Sequence, residues 1–219
     1  MPCDIGYRSV ARASIAAKKP DTLASRASAP EVDRELLDRL GQDDPEFLAW
    51  WRELDADPVL EKALAQTLVA LGPLGDDVAL SVQDGALSSR ITATKAEAEA
   101  LAAKIAGRWQ MEVLRIVCEL LDYDVSLTVR NGKLVIEGEK HGDGGVHEYI
   151  AVTHDANDAA EVRFEHFSSD AALATEQGRF LTLAHRLGVW LRLSGERRAG
   201  QPIPKGTVHP HGHKGRGKS

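Results

Sequence analysis

The stretch from Thr94 to Lys140 constrains the fold most, because it combines the pattern of a long amphipathic helix with that of a β-hairpin directly after it. Apolar residues recur at three- and four-residue steps from Ala98 to Leu120, which is the period of one buried helix face. Thr94-Lys95-Ala96-Glu97 fits a capping box at the helix start. Gly107 interrupts the pattern, so it marks either a close-packing site or a break into two helices.

The second half of this stretch predicts the hairpin. Residues 123–129 alternate between apolar and polar side chains, which is the period of a strand. Asn131-Gly132 follows, and both residues tolerate the positive φ of a type I′ turn. Residues 133–139 then return as the second strand.

A similar hairpin pattern precedes the helix. Residues 77–87 and residues 124–134 share the pattern Asp-Val-x-Leu-(Ser/Thr)-Val-x-(Asp/Asn)-Gly-x-Leu. The limited chemistry of tight turns makes chance similarity between hairpins common. Here the strand residues agree as well as the turn residues, which favours two related hairpin units.

The remaining patterns indicate an α+β fold. We expect a helical N-terminal segment, followed by a mostly antiparallel sheet that is built from two related β-hairpin units with two packing helices. The predicted segments are a flexible N-terminal segment with a candidate strand from Tyr7 to Ile15 (1–30), a helical segment (31–71), an α+β domain (75–194) and a disordered basic tail that contains histidines (195–219).

Composition indicates a reducing cytoplasm as the compartment. The only cysteines are Cys3 and Cys118, which are too few for a disulfide framework. No apolar run reaches the ~20 residues that span a bilayer, and no signal-peptide pattern opens the chain. Residues 1–30 are basic and rich in Ala and Ser, so a targeting peptide is the alternative to a flexible segment.

Two adjacent tryptophans are candidate partner-binding residues. Phe47, Leu48, Trp51 and Leu54 form one apolar helix stripe, so either Trp50 or Trp51 must point away from it. A partly covered core aromatic is one interpretation. An exposed anchor for a partner is the other.

The basic tail is the candidate nucleic-acid site. Residues 196–219 carry a net charge of +5, which leaves −11 for residues 1–195. Such a tail favours phosphate contacts, although the acidic body repels the same polyanion. The candidate nucleic-acid-binding residues are Arg197, Arg198, Lys205, Lys214, Arg216 and Lys218.

Histidines offer two candidate sites for a metal. His209, His211 and His213 place three imidazoles at alternate tail positions, and imidazole suits zinc, copper and nickel. A solvated polar tail is the alternative interpretation. The second set lies on or beside the predicted sheet, with acids close in sequence, and could form a metal or acid–base site. This set is His141, His147, His154 and His166.

Residues 108–140 also carry a resemblance. Trp109 and Val113 on the helix, followed by Tyr123-x-Val125 and the Asn131-Gly132 hairpin, resemble the C-terminal part of a small uncharacterised family from cyanobacteria and plastid genomes. The whole chain is similar to hypothetical proteins of uncultured bacteria that begin with a Cys-Asp-Ile element, here Cys3-Asp4-Ile5. The first resemblance implies a binding role as an accessory of an AAA-type ATPase. The resemblance assigns no functional residue to this chain.

The chain is rich in structural signals and holds no phosphate loop, nucleophile elbow or CxxC motif. We therefore predict a non-enzymatic cytoplasmic interaction or accessory protein, with no cofactor and no membrane partner. Its expected partner is another protein, such as an AAA-type ATPase, or a second copy of the chain. The alternative hypotheses are nucleic-acid binding through the basic tail and a metal-dependent enzyme that uses the sheet histidines.

Overall fold

The computed structural model describes residues 7–17, 34–83, 86–141, 147–155 and 159–199. These residues form helices together with antiparallel sheets, which confirms the predicted α+β class. In chain order the elements are β1 (Tyr7–Ala17), α1 (Arg34–Asp43), α2 (Pro45–Glu53), α3 (Ala56–Leu71), β2 (Val78–Gln83), β3 (Ala86–Ile91), α4 (Lys95–Leu120), β4 (Asp124–Arg130), β5 (Lys133–His141), β6 (His147–Asp155), β7 (Ala159–Phe167), α5 (Asp170–Arg186) and β8 (Val189–Ala199).

The main sheet has six strands in the order β4-β5-β6-β7-β1-β8. Strand β1 lies between β7 and β8 and pairs with both in the antiparallel sense. The candidate strand from Tyr7 to Ile15 therefore agrees with an interior strand of the sheet, which extends to Ala17. Its apolar pattern is weak, and it is held by backbone hydrogen bonds on both sides to strands far away in sequence.

Strand β8 corrects the predicted start of the tail. It continues to Ala199, and Arg197 and Arg198 pair with Val10 and Ser9 of β1. These two arginines therefore belong to a sheet strand, because the long β1 offers backbone partners that composition alone does not reveal. Lys205, Lys214, Arg216, Lys218, His209, His211 and His213 lie outside the described residues.

The two similar hairpins lie in different sheets. The β4–β5 hairpin forms one edge of the main sheet, whereas β2 and β3 form a separate two-stranded sheet. A single sheet built from both hairpins is thus not what the chain forms. Helix α4 connects them, and its 26 residues span about 39 Å, so the two hairpins sit at opposite ends of it.

Two details of α4 differ from the helix that its sequence predicts. The Thr94 side chain does not cap a backbone amide; its Oγ1 instead donates to Glu97 Oε2 at 2.6 Å. The helix is continuous through Gly107, so the alternative of a break into two helices is wrong. A Cβ at Gly107 would lie 3.4 Å from His154 Cε1, which supports the close-packing interpretation.

The core lies between the main sheet and helices α4 and α5. Phe164 of β7 meets Phe180 of α5 with ring centroids 5.7 Å apart, and Gln177 Nε2 donates to Ser9 Oγ of β1 at 2.8 Å. Helix α1 contacts α5, and α3 contacts α4. Each large apolar side chain buried here contributes about 1.5–3 kcal/mol. The buried sheet residues on this face include Ile136, Ile150, Val152, Val162 and Phe164.

No helix within the described residues combines the length and hydrophobicity that crossing a membrane requires.

Candidate functional site

The side of the main sheet opposite α4 and α5 is a candidate binding surface, which we call the open face. Side chains alternate between the two sides of a strand, so the neighbours of buried core residues point away from the helices. On β5, Ile136 is buried, whereas Glu139 is exposed and Glu137 is half-buried. On β4, Ser126 and Thr128 are exposed. The β4 and β5 part of the open face therefore carries exposed polar side chains, whereas Val135 and Ala151 on the same face are buried.

Strand register arranges the open face in rows of directly opposed residues. The first row runs from β4 to β7 through Asp124, Glu139, Tyr149 and Glu165. The second row crosses all six strands through Ser126, Glu137, Ala151, Arg163, Val10 and Arg197. The third row crosses them through Thr128, Val135, Thr153, Glu161, Arg12 and Ser194.

Acids gather at one end of these rows, in a set that we call the acidic corner: Asp124, Glu137, Glu139 and Glu165. Tyr149 lies among them, and its Oη donates to Glu137 Oε1 at 3.2 Å. Partial burial, followed by the nearby Glu137 charge, raises the pKa of Tyr149 to about 12. Tyr149 therefore stays protonated and can donate at neutral pH.

A shallow depression of about 400 Å³ adjoins the acidic corner. Its lining includes Asp124, Glu137, Glu139 and Tyr149. Arg130 neutralises one of these acids, because its Nη1 and Nη2 lie 2.8 and 2.5 Å from the two Glu137 carboxylate oxygens. Glu139 is exposed. The depression thus offers carboxylate acceptors suited to basic or hydrogen-donating groups of a partner.

Arginines occupy the other end of the rows, at positions that we call the arginine strip: Arg8, Arg12, Arg163, Arg192 and Arg197. Arg163 and Arg197 flank Val10 in the second row, and Arg12 follows two residues along β1. Arg163 lies 3.4 Å from Glu161 and 4.0 Å from Glu165. The described side chains thus make the β4 and β5 part of the open face acidic, while the register places arginines at backbone positions of β7, β1 and β8.

The two tryptophans have different environments. Trp51 is buried, and its Nε1 donates to the Thr182 carbonyl oxygen of α5 at 3.2 Å. The Arg186 guanidinium covers the Trp51 ring at 5.1 Å from the centroid. Trp51 is thus a core residue and presents no surface to a partner. It is therefore no longer a candidate partner-binding residue. Trp50 is 39% exposed and therefore remains a candidate partner-binding residue.

The sheet histidines do not form one site. His141 and His147 are opposed at the ends of β5 and β6, with ring centroids 4.5 Å apart, whereas His154 lies against Gly107 of α4. Among the described residues, no group of three or more His, Cys, Asp or Glu side chains could hold a metal ion.

Strand alternation alone would place His166 on the face of Val162 and Phe164, but the structure does not. Ser9 pairs with Phe164 and Tyr7 with Phe167, so β7 contains one residue more than β1 between these pairs. His166 adopts a φ of 69° in this bulge, and its side chain is 38% exposed. Because of the extra residue, Phe167 is buried in the core and His166 is not.

A buried charge network is the second cluster of polar side chains. Lys140 Nζ lies 2.5 Å from Glu176 Oε1 and 3.5 Å from Glu148 Oε2. Arg179 joins Glu176 at 3.2 Å, and its Nε donates to Asp44 Oδ2 at 2.6 Å. The network links α2, α5, β5 and β6. Each charge in it has an opposite charge as its partner, which is the arrangement of a structural clamp.

Two side chains next to this network, Cys118 and Tyr123, stay protonated at neutral pH. Burial, followed by the charges of Glu176 and Glu119, raises the pKa of the Cys118 thiol far above its ordinary value. Burial, followed by Glu176 and Glu148, raises the pKa of Tyr123 in the same way. A nucleophilic cysteine requires a thiolate. Cys118 therefore stays a buried thiol at neutral pH and is not a nucleophile.

The acidic corner and the arginine strip were not among the residues that the sequence singled out, apart from Arg197. Successive side chains of β5 and β6 point to opposite faces of the sheet. This alternation could have identified Glu137, Glu139 and Tyr149 as residues of one face. The arginine strip depends on the placement of β1 between β7 and β8, which no local pattern indicates.

Comparisons of the chain with protein-family models, with curated proteins and with solved structures gave no match.

Proposed function

We propose that this protein is a non-enzymatic cytoplasmic interaction protein that binds its partner through the open face. The observation that carries the proposal is a six-stranded sheet whose core residues face helices on one side and whose other side carries exposed polar residues, among them Ser126, Thr128, Glu139 and Glu161. A surface with exposed carboxylates, such as those of Asp124 and Glu139, suits recognition of a partner with complementary charge.

The chemistry of the described residues supports binding over catalysis. In the buried Lys140 network the charges neutralise each other. The depression beside Tyr149 is shallow and open, and it lacks the enclosure that excludes water from a reacting group. An AAA-type ATPase remains one proposed partner class, on the strength of the resemblance of residues 108–140.

Site-specific photo-crosslinking tests this proposal for a partner of any identity. A photoreactive phenylalanine analogue replaces Tyr149 on the open face or, as the control, the exposed Glu61 on α3. After irradiation in cells, we expect covalent adducts from position 149 and none from position 61. Adducts from position 61 alone, or from neither position, would contradict binding through the open face.

Nucleic-acid binding is the second candidate function, and the arginine strip favours it. Arg197 shares a row with Arg163, so the basic tail residues continue from a basic sheet edge. Arginine contacts phosphate well, and such binding weakens steeply with salt. The acidic corner on the same face repels a polyanion, which is why this function ranks second.

Truncation after residue 199 separates the tail from the arginine strip, because strand β8 stays complete. The full chain, the 1–199 chain and Arg197→Ser are titrated with RNA and DNA at low and near-physiological salt. Tail-mediated binding predicts loss in the 1–199 chain, and strip-mediated binding predicts loss in Arg197→Ser. If none of the three proteins binds at low salt, nucleic acid is excluded.

A further inference from the structure

We propose that the outer edge of strand β4 is an interaction surface for β4 of a second copy of this chain, so that two copies join edge to edge into one continuous sheet. Within the described part of the chain, β4 is the outermost strand at its end of the main sheet, with β5 as its neighbour. The inference goes beyond the proposed function, because it uses the edge of the sheet and leaves the open face available to another partner.

The sequence of β4 is complementary to itself in the antiparallel direction. The strand is Asp-Val-Ser-Leu-Thr-Val-Arg, and Leu127 is its middle residue. A second β4 that is centred on the same leucine places Asp124 opposite Arg130, each valine opposite the other valine, and Ser126 opposite Thr128. A two-fold contact requires such a surface, because the same patch of both copies must fit itself.

The backbone of β4 supports the same register. Arg130 and Lys133 flank the two-residue turn, and in such a turn the Lys133 amide donates to the Arg130 carbonyl oxygen. Backbone groups of successive residues point to opposite sides of an antiparallel strand, so those of the even-numbered residues in β4 point toward β5. The backbone groups of Val125, Leu127 and Val129 therefore point away from the sheet. Centring on Leu127 pairs them with their counterparts through about six hydrogen bonds.

Apolar side chains of β4 become covered in this pairing. Val129 is 64% exposed although it belongs to the sheet, and Val125 and Leu127 are half-buried on the same side of the strand. Directly opposed Cβ atoms of an antiparallel pair lie about 4.5–5.5 Å apart. Val129 then contacts Val125 of the second copy, and the two Leu127 side chains contact each other at the two-fold axis.

Like charges at both ends of the β4–β5 hairpin favour a second copy as the occupant. Asp124 lies opposite Glu139 at one end of this ladder, and Arg130 lies opposite Lys133 at the other end. All four residues are exposed, and like charges directly opposite each other destabilise a strand pair. In the dimer, the acidic pair of one copy continues into the basic pair of the other copy. Each end of the contact therefore joins two acids to two bases.

The partner that Arg130 has in its own chain is compatible with this contact. Its guanidinium nitrogens lie 2.8 and 2.5 Å from the two carboxylate oxygens of Glu137, and the Arg130 side chain is still 59% exposed. A guanidinium has several N–H donors, so it can donate to Glu137 and to Asp124 of the second copy at the same time. The contact between copies therefore adds to the existing ion pair.

The opposite edge of the sheet is less regular. The β1–β8 ladder contains a register shift between Val10 and Arg12, whereas the β4–β5 ladder runs without one from Asp124 to Arg130. Irregular pairing, Pro and Lys are features that protect a sheet edge from pairing with another chain. Strand β4 contains no Pro and no Lys. It is therefore the edge that favours addition of a strand.

The contact is small, so we expect a weak dimer. Seven residues at about 3.4 Å each give an edge that is about 24 Å long and one strand deep. Such an edge buries less area than the roughly 1,600 Å² of a standard specific interface. We therefore expect dimers at micromolar and higher protein concentrations.

Two charge variants that do not fit themselves test the register. Asp124→Arg places arginines opposite each other in its own dimer, and Arg130→Asp places aspartates opposite each other. An equimolar mixture of the two variants restores opposite charges at both ends of a heterodimer, with one substitution in each chain. Only contact between positions 124 and 130 of two copies explains recovery on mixing.

A third variant tests the apolar part of the edge. Val129→Lys places a charge at the exposed valine of β4, and Val69→Lys is the matched control, because it makes the same change at an exposed valine of α3. Circular dichroism and thermal melts verify that each variant folds.

Analytical ultracentrifugation over a range of protein concentrations measures the dimer Kd. We expect each charge variant alone to raise the Kd about tenfold, and the mixture to form heterodimers with a Kd close to that of the wild type. Val129→Lys should abolish the dimer over the same range of concentrations. Val69→Lys should leave the Kd unchanged.

Amide hydrogen exchange identifies the contact residue by residue. The amides of Val125, Leu127 and Val129 should exchange more slowly as the concentration of the wild-type chain rises, because the dimer gives them acceptors. The amides of Ser126 and Thr128 point toward β5, so their exchange should change little. This alternation distinguishes pairing at the strand edge from contact through the open face.

Three results would overturn the inference: a wild-type monomer at all concentrations up to the millimolar range, a mixture that associates no more tightly than the separate charge variants, or a dimer whose Kd is unchanged in Val129→Lys. If the wild type is monomeric but position 149 crosslinks to another protein, the edge pairing is wrong and the proposed function stands. If the wild type dimerises as expected but position 149 forms no adduct, the proposed function is wrong and the edge pairing stands.

Discussion

Trp51 is held by contacts of three different physical kinds. Its ring is buried beneath α5, its Nε1 donates to the Thr182 carbonyl oxygen, and the Arg186 guanidinium covers the ring. Helical periodicity predicted that Trp51 lies on the apolar stripe of α2. The partner of its N–H group lies 131 positions away, so no local pattern could identify that contact.

We predict that Trp51→Phe lowers the free energy of unfolding by about 2 kcal/mol, because a buried carbonyl loses its donor and a gap replaces the indole. Trp50→Phe is the matched control, since Trp50 is partly exposed, and it should cost less than about 0.5 kcal/mol. Urea unfolding measures both values. Equal losses for the two variants would contradict the assignment of Trp51 as the core residue.

Because Tyr123 is buried, we predict that the free energy of unfolding falls at alkaline pH. Burial and the charges of Glu176 and Glu148 raise its pKa in the folded protein. Above pH 10 the unfolded chain ionises this tyrosine while the folded protein does not. The unfolded state then binds fewer protons, so the free energy of unfolding falls as pH rises.

We expect the stability difference between wild type and Tyr123→Phe to shift by about 1.4 kcal/mol per pH unit above pH 10, in favour of the variant. Urea unfolding of both proteins at several pH values between 8 and 11 measures this shift. Below pH 9 the difference should be constant. A constant difference up to pH 11 would show that Tyr123 ionises as easily in the folded protein as in the unfolded chain.

The β4–β5 hairpin shows which elements can be predicted from local sequence. Asn131 and Gly132 both have positive φ, at 52° and 77°, and Arg130 pairs with Lys133 across the turn. Two adjacent residues that tolerate positive φ, between alternating strands, contain all the information this turn needs. The structure confirms this hairpin.

Strands β1 and β8 show the opposite case. Their pairing joins residues near the two ends of the chain, as in the pair of Val10 and Arg197. Strand β1 carries few large apolar residues, and the sequence around Arg197 is typical of a polar tail. The sequence predicted a candidate strand from Tyr7 to Ile15 and a tail that begins at residue 195, whereas backbone pairing within the assembled sheet extends β1 to Ala17 and β8 to Ala199.

Gly132→Val tests the turn. The φ of 77° disfavours a β-branched residue, and no heavy atom lies within 4 Å of the added Cβ, so the cost arises in the backbone alone. We predict a loss of about 1–3 kcal/mol in the free energy of unfolding. Lys133→Val is the control at the adjacent exposed position. Thermal melts compare the two, and equal melting temperatures would contradict the turn assignment.

At the scale of the whole molecule, the fold leaves one side of its sheet without a helix in the described part of the chain. The buried charge network and the aromatic core explain how α4 and α5 are fixed to the other side. Sequence periodicity could predict that the strands are two-sided, but the six-stranded face exists only when β1 enters between β7 and β8. The candidate binding surface is therefore a property of the assembled sheet.

Hydroxyl-radical footprinting of the purified chain and of the chain in cells tests this surface most directly, because it uses the unmodified chain. Tyr149 reports on the open face, and Trp50, which is partly exposed on α2, serves as an internal reference. If a partner covers the open face, the oxidation of Tyr149 relative to that of Trp50 is lower in cells than in the purified chain. An unchanged ratio, or protection of Trp50 instead, would contradict binding through the open face.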